Sequence, residues 1–80
     1  MSAQFVDKAL LNEIISGIKM LRKQQNITLE TFYFDTGIHL ARIEQGNTNI
    51  TISTLYQICR YFGLTLKEFF IFLDELEHTS

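Results

Sequence analysis

Few side chains in this 80-residue chain are of types that do chemistry, and their spacing sorts them. The two histidines, His39 and His78, and the single cysteine, Cys59, give no metal-ligand spacing, and no glycine-rich loop precedes a helix as a phosphate cradle would. The carboxylates are scattered or gathered in the run Asp74-Glu75-Leu76-Glu77. Catalysis, metals, cofactors and small-molecule ligands therefore find no support. What remains is polar recognition. The stretch "RIEQGNTNIT", 42–51, offers the guanidinium of Arg42 and then the neutral amides and hydroxyl of Asn47, Thr48 and Asn49. A guanidinium donates a rigid fork of hydrogen bonds to a planar acceptor pair. Amides and hydroxyls bond oxyanions without neutralising much charge.

The elements that must hold these groups are helices. Apolar residues recur at helical spacing almost throughout, with no alternating strand and no proline. Val6, Leu10, Ile14, Ile18 and Leu21 form a ladder on a long first helix that stops near Gln25-Asn26. Leu11 and Ile15 widen that stripe, either as a broad core face or as a subunit contact. Thr28 is an N-cap for a short helix from Leu29 to about Phe34, followed by a turn at Asp35-Thr36-Gly37. Thr36 can cap a third helix that carries Ile38, Leu40 and Ile43 and ends before Gly46. Thr51 caps a fourth, with Ile52, Leu55, Tyr56, Ile58, Cys59 and Phe62 on one face and Gly63 as its stop. Thr65-Leu66-Lys67-Glu68 is a capping box opening a fifth, whose Leu66, Phe69, Phe70, Leu73 and Leu76 share a side. The expected fold is all-α, a compact five-helix bundle forming one domain over 1–80.

Composition agrees with such a bundle. Hydrophobic residues make up 46% and aromatic residues 12%, so the chain can fold without metal or disulfide staples. One cysteine and no signal-peptide pattern point to a reducing cytoplasm, and no apolar run approaches membrane-spanning length. The formal charge of −2 argues against a general polyanion binder.

Three stretches in order, "IKMLRKQQNIT", "ARIEQGNTNIT" and "TLYQICRYFGLTLKEFF", resemble the lambda-repressor-like, or Cro/Xre-type, helix-turn-helix family over about residues 14–70. The resemblance implies a regulator that binds double-stranded DNA, with helices 2 and 3 as the helix-turn-helix and a recognition helix over about 36–45 in the major groove. The family pattern has about three more residues between Thr28 and Thr36, so the second helix is expected to be a turn short, with "FYF" filling the gap.

Carried over position by position, the resemblance implies DNA contacts from Thr28, Thr36, Gly37, Ile38, His39, Arg42, Asn47, Thr48 and Asn49. Arg22 and Glu44 are expected to pair and lock the reader to the scaffold. Arg42 suits guanine O6 and N7. His39 either donates to DNA or is an ordinary exposed histidine, and Ile38 either presses on a thymine methyl or belongs to the core. Leu11, Ile15, Tyr61, Ile71 and Phe72 are the expected surface of a homodimer on a palindromic site, using the start of helix 1 and the C-terminal helix. With no effector domain expected, regulation comes from the chain's own concentration, a partner protein or competition at the promoter. The rival reading is a protein-interaction module, antirepressor or antitoxin-like, that keeps the fold without DNA.

Overall fold

A computed structural model describes residues 6–46 and 48–78. Among them five helices run in order: α1 Lys8–Gln24, α2 Leu29–Thr36, α3 Leu40–Glu44, α4 Ile52–Tyr61 and α5 Leu66–His78. Local capping chemistry sets most of their ends. The Asp7 carboxylate accepts from the Leu10 amide at the start of α1. The Thr28 and Thr51 hydroxyls accept from the amides three residues on, at 3.0 and 3.1 Å. Thr65 and Glu68 exchange reciprocal bonds of 2.8 and 3.0 Å, a closed capping box. At the C-terminal side of α1, Asn26 takes the left-handed conformation at φ 57°, a role asparagine fills more readily than most residues.

The helices enclose one apolar core. α1 packs on α3 and α5, α2 on α3, and α4 on α5. Phe32, Phe69, Ile18, Leu40, Ile58 and Cys59 lose essentially all contact with water. Helix α1 touches α5 closely because residue 17 is glycine. A Cβ there would overlap Leu73 Cδ2 and come within 3.4 Å of the Phe69 ring. Under α2 and α4 an aromatic cluster forms. Tyr61 meets Phe32 edge to face at 4.6 Å, and Phe62 stacks on Phe32 at 5.7 Å. The Tyr61 hydroxyl donates to Asp35 Oδ2 at 2.7 Å, joining the end of α4 to α2.

Several expectations from periodicity are corrected. On α1 the buried face centres on Leu11, Ile14, Ile15, Ile18 and Leu21, while Leu10 is exposed. Leu11 and Ile15 are core residues of the single chain, so they form no part of a free surface patch. Tyr61 and Phe72 are half-buried against the same core, leaving Ile71 as the exposed member of the expected dimer set. On α4, Ile52 (70% exposed) and Tyr56 point outward, and on α5 so does Phe70. The "FYF" stretch fills space through Phe32 alone. Phe34 is 88% exposed.

Candidate nucleic-acid interface

The turn between α2 and α3 differs from expectation in where the chain bends. Helix α2 continues through Thr36 to Gly37, whose φ of 75° makes it the left-handed stop. The Gly37 amide bonds to the Tyr33 carbonyl at 2.8 Å. Thr36 therefore does not cap α3. Its hydroxyl donates back to the Phe32 carbonyl at 2.8 Å and accepts from the Ile38 amide at 3.0 Å. Helix α3 starts at Leu40, with His39 at the N-cap position making no side-chain cap bond. Helix α2 thus runs to Thr36, past its expected end near Phe34, and α3 spans five residues where a helix over about 36–45 is expected.

Leu40 and Ile43 bury one side of α3, while Ala41 and Arg42 stand on the outer side. The Arg42 side chain has no ionic or hydrogen-bonding partner among the described residues. His39 is exposed, and its imidazole lies on the Tyr33 ring with centroids 4.3 Å apart and planes at 27°. Ile38 is half-buried and packs against the core, favouring the core alternative over a free thymine contact.

Beneath α3, Arg22 holds its far end. Its Nε donates to Glu44 Oε2 at 2.8 Å and its Nη2 to Oε1 at 3.0 Å. Its Nη1 donates to the Ile27 carbonyl at 3.1 Å. The two side chains are only 15% and 7% exposed. The Glu44 hydrogen bonds favour the charged guanidinium, outweighing the cost of burial.

Gly46, at φ 81°, turns the chain into the loop that leads to α4. Asn47 lies outside the described residues. Thr48 and Asn49 are exposed, and Asn49 Oδ1 accepts from the Ile50 amide, which leaves the Asn49 NH2 to donate outward. This loop rides over α1: Val6, Lys8 and Leu11 line one shallow depression together with Gly46, Thr48 and Asn49. An exposed lysine thus stands beside a loop that carries no cation of its own. Sequence reasoning missed Lys8 because it lies some forty positions from the loop. Thr28 is exposed, but its hydroxyl is engaged in capping α2.

A short, half-exposed helix presented across a left-handed glycine turn, locked from below by an arginine of the first helix, is a helix-turn-helix. The helix-turn-helix family model matches residues 18–69 of the chain. This protein belongs to the Cro/Xre-type helix-turn-helix family. As a member it is a DNA-binding regulator of the Cro/Xre kind, and its family is regulatory rather than enzymatic. No curated protein and no solved structure matches the chain. Among the described residues no helix of this Cro/Xre-type protein is long and apolar enough to cross a membrane.

Proposed function

We propose that the chain is a sequence-specific transcriptional regulator that lays α3 in the major groove of a palindromic DNA site as a homodimer. The observation that carries this reading is the exposed Arg42, without a partner among the described residues, on a helix whose far end is anchored by Arg22–Glu44. A guanidinium free of internal partners keeps its whole fork for guanine O6 and N7. Around it, the Asn49 amide, Thr48 and Lys8 supply phosphate contacts that fix register. His39 and Gly37 stand at the groove's mouth, with Thr28 and Asn47 on the flanking backbone. A single buried, free cysteine suits action in a reducing cytoplasm.

A second copy is supported by apolar side chains left on the surface of one copy. Leu10, Ile52 and Phe70 border a single groove between the start of α1, the start of α4 and α5, and Ile71 is exposed on the same last helix. A two-fold dimer presents two copies of α3 to successive major grooves. The alternative, a protein-interaction module without DNA, draws on Phe34, the most exposed large apolar side chain described, on the outer side of α2.

The test is selection of bound duplexes from a random library by the wild type and by Arg42→Ala. An enriched two-fold motif that Arg42→Ala weakens at a guanine, by roughly tenfold or more, supports the reading. Enrichment of nothing at low salt removes it and turns the search to a protein that binds at Phe34.

A further inference from the structure

Helix α3 is too short to orient itself. Five residues make about one and a half turns, far below the length at which a helix is stable alone. Its direction is imposed by whatever grips it. Leu40 and Ile43 seat one side on the core, and Glu44 is tied to Arg22 at the C-terminal end. At the N-terminal end the usual side-chain cap is missing. Besides the core contacts of Ile38 and Leu40, the side-chain contact at that cap position is the stack of His39 on Tyr33.

We propose that Tyr33 is a positioning residue for DNA reading: its ring, stacked on His39, sets the front of α3 and so the direction in which Arg42 leaves it. The proposal rests on the DNA-reading function proposed above. Tyr33 follows the fully buried Phe32, so its side chain leaves α2 about 100° further round, sideways towards α3 rather than into the core. Tyr33 stays 47% exposed and His39 is exposed, so the stack buries little surface. What it supplies is sideways geometry at the end of α3 that no side chain caps, beside the backbone bonds of the first turn and the Ile38 amide's bond to the Thr36 hydroxyl. The Tyr33 hydroxyl has no partner among the described residues, unlike that of Tyr61, so the ring alone makes the contact.

The experiment uses the full chain with Tyr33→Ala, Tyr33→Phe, His39→Ala and the Tyr33→Ala/His39→Ala double variant. It reads thermal stability, α3 amide chemical shifts without DNA, and the motif and affinity in random-duplex selection. Tyr33→Ala is expected to move the amide signals of Leu40 to Ile43 with little change in melting temperature. Its affinity falls roughly two- to tenfold, the scale of one aromatic pair, with preference lost at the base pair read by Arg42. Tyr33→Phe keeps the stack and behaves as wild type, and the double variant is no worse than the poorer single one. Unmoved α3 signals with an unchanged motif overturn the proposal and leave DNA reading intact. A Tyr33→Phe variant as poor as Tyr33→Ala also overturns it, because the hydroxyl then touches DNA directly. If the wild type enriches no duplex, the DNA reading itself fails and the proposal falls with it, whatever the α3 signals do.

Discussion

Arg22 on α1 and Glu44 at the end of α3 face each other through two parallel hydrogen bonds of 2.8 and 3.0 Å, with a third from Arg22 to the Ile27 carbonyl. Three separate pieces of chain are joined by one guanidinium: α1, the entry to α2 and α3. A lone buried charge costs more than the pair contributes. Glu44→Ala is therefore expected to lower stability by about 3 kcal/mol by stranding Arg22, measured by urea denaturation. Arg22→Lys is expected to cost roughly 1–2 kcal/mol, since an ammonium cannot serve both carboxylate oxygens and the carbonyl together. Equal stability of wild type and Glu44→Ala means the pair holds nothing.

Lys8 stands beside the neutral loop at Thr48 and Asn49. If it meets a phosphate, Lys8→Gln weakens DNA binding about equally across sequences. It also reduces the slope of log affinity against log salt by about 0.9. The motif stays the same. An unchanged slope places Lys8 off the DNA.

Gly17 lets α1 and α5 touch, and Leu73, which a Cβ would strike, is itself buried. Leu73 has little room to retreat into a packed core. Gly17→Val is expected to destabilise by about 3 kcal/mol through overpacking, while Ser16→Val, one position round on the exposed side of the same helix, costs well under ~1 kcal/mol. A stable Gly17→Val variant contradicts this account of the α1–α5 contact.

Burial pushes the Cys59 thiol up to about 11 from an ordinary 9.0. The folded state therefore keeps a proton that the unfolded chain releases first. The stability from this group is whole below pH 9 and is lost between pH 9 and 11. Denaturation midpoints of wild type and Cys59→Ala, measured across that window, are expected to converge as pH rises. At pH 8 the thiol is expected to react with a disulfide reagent only at the unfolding rate. Rapid labelling of the native protein refutes its burial.

How much of this was legible beforehand follows the range of the physics. Caps and stops depend on a few neighbouring residues, so Thr28, Thr51, the Thr65–Glu68 box, Asn26, Gly46 and Gly63 announced their helix ends in the sequence. The start of α3 is ambiguous at Thr36. A threonine hydroxyl serves equally as an N-cap or as a bond back to the carbonyl four residues earlier. Gly37 in the left-handed region, one residue on, settles it in favour of ending α2.

The all-helical pattern and the order of the five helices follow from periodicity and short-range capping in the chain, and the resemblance to the Cro/Xre-type helix-turn-helix from three short motifs in order. Which side of each helix is covered depends on how the helices pack. Leu11 and Ile15 carry the same apolar signal whether they meet a second copy or their own α3, and Leu10 and Ile52 stay exposed although their spacing suits a core. Likewise only folding brings Lys8 beside Thr48 and Asn49, and Tyr33 onto His39. Periodicity says that a face is apolar or that a charge is free. What lies opposite is fixed by contacts between residues distant in the chain, which no local pattern encodes.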